Sequence, residues 1–140
     1  MTSETLLKLT VVIEWMDGKY GGRVKAPGFL FTTEGDTVKA VVNNLRDLIA
    51  DYLTQEGRSA PTWQGIEAQE IEFELVYELA AFFEHFKELK ISAIATRAGL
   101  NTNLVQQYVS GNKQASQSQA KKIEGAIHQL ANELNQITLA

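Results

Sequence analysis

The 140-residue chain contains no cysteine, which excludes disulfides, thiolate metal sites and cysteine nucleophiles. It has no apolar run of membrane-spanning length, and its opening MTSETLLKLTVV has no basic region ahead of an apolar one. A cytoplasmic protein with no membrane partner is therefore expected. No Gly-rich phosphate loop is present, and His85 and His128 lack a metal spacing such as HExxH. Neither a cofactor nor a bound metal is expected.

With 44% hydrophobic residues, the chain can fill the core of one domain or of two small ones. The net charge of -4 is unevenly spread. Residues 1–90 hold nine Lys/Arg against fifteen Asp/Glu, and residues 91–140 hold four against two. The later part can approach a polyanion, whereas the acidic part suits a basic partner or simply keeps the protein soluble.

Period-two alternation of Leu9, Val11, Ile13 and Trp15 marks a first strand. Asp17-Gly18 then signals a hairpin into a second strand over residues 19–25, and Pro27-Gly28 a turn into a third over residues 29–34. Gly21-Gly22, inside the second strand, reads as a bulge or a close packing point. Asp36 is the expected N-cap of a helix ending near Leu53, with Val38, Val41, Leu45 and Ile49 in its apolar stripe. Residues 54–65 read as a loop pinned by Trp63. A fourth strand is expected over residues 70–77, with Ile71, Phe73, Leu75 and Tyr77 facing one way. Glu70, Glu72 and Glu74 face the other way, as a solvated edge or a docking face for a basic protein.

Beyond residue 78 the period becomes helical. Leu79, Phe82, Phe83, Phe86 and Leu89 predict a helix over residues 79–89. ISAIATRAGLNTNLVQQYVSG, residues 91–111, has the spacing of a helix-turn-helix. Ser92 is placed to cap the first helix, Ala95 leaves room for a close crossing, and Gly99 supplies a positive φ for the turn. Asn101 would cap the second helix, in which Leu104, Val105 and Tyr108 face inward while Thr102, Asn103, Gln106 and Gln107 face out. Asn and Gln amides can pair with adenine edges, so these four are the candidate base readers. Ser92, Lys113, Lys121 and Lys122 are the candidate phosphate contacts. An ordinary helical hairpin is the alternative. Ser116 or Ser118 can cap a last helix whose Ile123, Ile127, Leu130, Leu134 and Ile137 form a stripe that needs a partner, within the chain or from a second copy.

Two blocks carry a family resemblance. The first is LTVVIEWMDGKYGGRVKAPGFLFTTEGDTVKAVVNNLRDLIADYL, with its three turn dipeptides. The second is EIEFELVYELAAFFEHFKELKISAIATRAGLNTNLVQQYVSGNKQASQSQAKKIEGAI. In this order they resemble the HicB antitoxins. The resemblance implies an α+β chain in which a partial, degenerate ribonuclease H-like β-β-β-α-β unit, residues 1–77, precedes an all-α helix-turn-helix DNA-binding domain, residues 78–140. It implies that the first part binds a HicA-like toxin, a small basic messenger-RNA-cleaving protein, and that the second represses the operon's own promoter. No toxin-binding residue is carried over.

A ribonuclease H-like fold raises the question of two-metal cleavage, which needs converging carboxylates. Glu14 lies on the opposite face of its strand from the Leu9 row, Asp17 in a turn, and Asp47 and Asp51 on the solvent side of their helix, so no enzyme is expected. The expected function is that of an antitoxin and autorepressor. Scarcity of cations makes a homodimer or higher oligomer on a pseudo-palindromic operator, with half-sites roughly 34 Å apart, the physical expectation. An orphan regulator without a toxin, and an interaction module whose helix-turn-helix serves only assembly, are the rival readings.

Overall fold

A computed structural model describes residues 7–26, 28–55, 63 and 65–140. In the first of two units, Met1–Ala81, the alternating segments form β1 (Lys8–Met16), β2 (Lys19–Ala26), β3 (Phe29–Gly35) and β4 (Glu72–Tyr77). They make one sheet of order β3-β2-β1-β4, antiparallel except for the parallel pair β1 and β4. Asp17 and Gly18, at φ 56° and 76°, give the hairpin the left-handed pair that suits the twist of its strands. Gly28 also has a positive φ, between the paired Ala26 and Phe29. Pro27, the other half of that expected turn, lies outside the described residues.

The helix α1 (Val38–Thr54) covers one face of the sheet. Its Val41, Leu45 and Ile49 are fully buried with Val11 and Ile13 of β1 and Val24 of β2. Burying a Val, Leu or Ile side chain contributes roughly 1.5–3 kcal/mol, so this layer fixes helix on sheet. Gly22 sets how close the layers come, because a Cβ there would stand 2.3 Å from Val41 Cγ1. Pairing runs without interruption through Gly21 and Gly22, so close packing, not a bulge, explains the glycines. Arg46 extends from α1 to donate to the Ala68 and Ile71 carbonyls at 2.6 and 2.9 Å, and lies over the Phe73 ring. Trp63 is buried and meets Tyr52 edge-on; the rest of the expected 54–65 loop, residues 56–62 and 64, lies outside the described residues.

Two boundaries differ from expectation here. Thr37, not Asp36, caps α1, its hydroxyl accepting from the Ala40 N–H at 3.0 Å. Strand β4 starts at Glu72 because Ala68–Glu70 close a 3-10 turn, in which the Glu70 carboxylate accepts from the Glu67 N–H.

The remaining helices are α2 (Leu79–His85), α3 (Ile91–Ala98), α4 (Thr102–Ser110) and α5 (Gln117–Leu134). The expected helix over residues 79–89 stops at His85, and the Leu89 N–H turns back to the Phe86 carbonyl. In the second unit, Phe82–Ala140, α3 packs on both α4 and α5 around Ile94, Ala95, Val105, Tyr108, Ile123 and Ala126. Ser116 caps α5. The apolar stripe is shorter than expected, since α5 ends at Leu134 and Ile137 is exposed beyond it. The described residues are thus α+β, with a four-stranded mixed sheet and five α-helices, none long and apolar enough to cross a membrane.

Candidate nucleic-acid interface

The segment 91–111 forms two short helices joined through Gly99, Leu100 and Asn101. Gly99 is left-handed at φ 72°, which lets the Leu100 N–H return to the Ala95 carbonyl at 2.9 Å and closes α3. Ala95 has no exposed surface, so a larger side chain there would push the packed helices apart. The Asn101 side-chain oxygen accepts from the Asn103 and Leu104 N–H groups at 2.8 and 3.3 Å. That cap fixes where α4 starts and removes the Asn101 oxygen from any reading role.

On α4, Val105 and Tyr108 are buried and Leu104 half-buried, as its apolar spacing requires. Asn103 and Gln106 are exposed, and Thr102 and Gln107 are half-buried. Spacings of three and four residues put these four on the side away from Val105 and Tyr108. No Asp, Glu, Lys or Arg occurs in α4, so its outer face offers amides and a hydroxyl only. Asn and Gln present a donor and an acceptor side by side, the arrangement that matches N6 and N7 of adenine in a major groove.

The expected phosphate contacts fare unequally. Ser92 is not a cap: Lys90 precedes the helix without a side-chain cap, and Ser92 sits exposed in the first turn, its carbonyl accepting from the Thr96 hydroxyl. Lys113 is exposed after the turn at Gly111, its N–H donating to the Gln107 carbonyl. Lys121 and Lys122 are exposed near the start of α5, and Lys121 is paired with Glu124 at 3.4 Å. Lys122 and Lys113 have no ion pair among the described residues, and neither does Lys90. Lys90 was missed because it stands one residue outside the motif; the start of α3 at Ile91 is the signal that places it.

Two polar ties hold the scaffold. Arg97 on α3 makes a two-pronged ion pair with Glu133 on α5, at 2.9 and 3.1 Å. The hydrogen bonds and charge of Arg97 hold the Glu133 carboxyl below its ordinary pKa. Tyr108 donates its hydroxyl hydrogen to the Gln119 side-chain oxygen, tying α4 to α5. Arg97 is thereby engaged and is not counted among the available cations.

In the first unit the structure groups carboxylates that sequence reasoning kept apart. Arg23 lies 3.5 Å from Glu14 and 3.9 Å from Glu78 on the face of the sheet away from α1. Partial burial raises the pKa of Glu78, aided by the charge of Glu14 and a hydrogen bond with it, while Arg23 opposes. Asp17, Asp47 and Asp51 are exposed elsewhere, and no three His, Asp or Glu among the described residues form a group that could hold a metal ion. Comparison with family models, with curated proteins and with solved structures finds no match to this chain.

Proposed function

We propose that the chain is a HicB-like antitoxin and autorepressor, a binding protein without catalytic activity. Its first unit acts as a partial ribonuclease H-like domain that captures a small basic toxin. Its second acts as a helix-turn-helix that lays α4 in the major groove of operator DNA. The observation that carries the DNA reading is the uncharged amide face of α4, started by the Asn101 cap, in a unit whose Lys90, Lys113 and Lys122 form no ion pair among the described residues. Thr102, Asn103, Gln106 and Gln107 read bases, and Ser92, Lys113, Lys121 and Lys122, joined by Lys90, meet phosphates. The antiparallel order β3-β2-β1, with β4 parallel beside β1, supports the reading of the first unit.

Selection from random duplexes at low salt tests the DNA role. An enriched site with two related half-sites is expected; Asn103→Ala and Gln107→Ala then relax its sequence, each good amide–adenine pair being worth about 1–3 kcal/mol. Lys122→Ala weakens binding to all duplexes and lowers the salt slope by about one unit. A selection that enriches nothing overturns the DNA reading. Native purification with mass spectrometry tests the toxin: a small basic protein held by the chain is expected, and its absence with DNA binding intact makes the chain an orphan regulator.

A further inference from the structure

Each base pair shows the major groove a different edge, and side chains of different chemistry suit different edges. Guanine is read best by Arg or Lys and cytosine by Asp or Glu, whereas Asn and Gln suit adenine. Between Gly99 and Ser116, which hold the turn, α4 and the approach to α5, the only charged residue is Lys113, beyond the C-terminal end of α4. The only arginine of residues 82–140 is Arg97, and both its prongs are engaged by Glu133. Asn103, Gln106 and Gln107 remain, and their side-chain amides have no hydrogen-bond partner among the described residues. The Asn101 oxygen takes the Asn103 backbone N–H, and Ser110 and Lys113 donate to the Gln107 backbone carbonyl. Thr102, the first residue of α4, adds a methyl group of the kind that packs on the thymine methyl.

Resting on the DNA reading above, we infer that the operator bases facing α4 are A·T pairs read at adenine N6 and N7, and that methylation of adenine N6 blocks binding. A Watson–Crick pair uses one of the two N6 hydrogens and leaves the other on the N7 side, in the major groove. An amide oxygen accepts that second hydrogen while the amide N–H donates to N7. In a paired N6-methyladenine the methyl group takes the N7 side, because the other position holds the pairing hydrogen. It removes the donor and stands between the amide and N7, so both hydrogen bonds to the amide are lost while the base pair stays intact. Asn103 is three and four residues from Gln106 and Gln107, about 4.5–6 Å along a helix axis. Successive base pairs are about 3.4 Å apart, so the readers fall on pairs one or two steps apart in each half-site. An Arg–guanine contact is untouched by this modification. The response to methylation therefore follows from the residue types on α4 and not from DNA binding in general.

The full chain is used to select from random duplexes, and the enriched duplex is then made with N6-methyladenine or 7-deazaadenine at each half-site adenine in turn. The selected half-sites should share two A·T pairs one or two steps apart. At either pair, N6-methyladenine should raise the Kd about fivefold to a hundredfold at fixed salt, and so should 7-deazaadenine, which pairs normally but lacks the N7 acceptor. The same bases placed outside the half-sites should leave the Kd unchanged. In Asn103→Ala the penalty at one adenine disappears, and in Gln106→Ala or Gln107→Ala the penalty at the other. Circular dichroism checks that these substitutions on the outer side of α4 leave the fold intact. G·C pairs at the invariant positions, equal binding of methylated and unmethylated duplexes, or a methylation penalty that persists in all three variants would each overturn this inference and leave the DNA reading standing. A selection that enriches nothing removes the DNA reading itself and this inference with it.

Discussion

The two units hold together differently. In the first, Val11, Ile13, Val41, Leu45 and Ile49 are wholly removed from solvent in one continuous layer between sheet and helix. The second buries few large side chains, Ile94, Val105, Tyr108 and Ile123 among them, and adds Arg97–Glu133 and Tyr108–Gln119 as ties between helices. Exposed ion pairs contribute little and weaken with salt, whereas apolar burial does not depend on salt in that way. The larger apolar core suits a platform that keeps its shape.

The strongest challenge to this contrast is Leu45→Ala. It removes a fully buried side chain from the centre of the first unit, and a loss of about 2–5 kcal/mol in urea unfolding is expected. A loss below about 1 kcal/mol would mean that the layer is not close-packed. A finer test uses the paired glycines of β2. Gly22→Ala puts a methyl group against Val41 and should cost about 1–3 kcal/mol, since packed interiors resist added volume. Gly21→Ala points to the sheet face away from α1, where the nearest described atom is the Thr33 carbonyl oxygen at 3.9 Å, and should change stability by less than about 0.5 kcal/mol. Equal effects at the two sites would contradict the close approach of α1 to the sheet.

Elements with a strong period were legible from sequence, and places where neighbouring residues compete were not. The Leu9 row, the Asp17-Gly18 hairpin and the α1 stripe all follow from local pattern. Asp36 and Thr37 are both good caps, and only the chain direction at the helix start selects Thr37. No glycine or proline marks the end of α2 at His85, and the FKELK that follows has good helix formers. At the interface, Asn101, Gly99 and Ala95 were legible because each solves a stated geometric need. The Arg97–Glu133 pair, 36 residues apart, and the Arg23 cluster were not, because sequence spacing carries no information about which strands or helices become neighbours.

The smallest predicted effect is also the most specific, because it gives the two units opposite responses to pH. Glu133 is held below its ordinary pKa by Arg97, so the stability it contributes is present above the unfolded-state value and is lost as pH falls through the lower native value. Glu78 is held above its ordinary pKa by partial burial and by Glu14, so its native state keeps a proton that the unfolded chain has released. Its contribution is full below the unfolded-state value and is lost as pH rises through the raised native value. Carboxyl-carbon titration by nuclear magnetic resonance should place the midpoint of Glu78 above that of Glu133. Glu133→Gln should destabilise at neutral pH and have little effect in strong acid, whereas Glu78→Gln should stabilise at neutral pH relative to acid. The reverse order of midpoints would sink at least one assignment: either Arg97 does not engage Glu133 in solution, or Arg23 outweighs burial at Glu78.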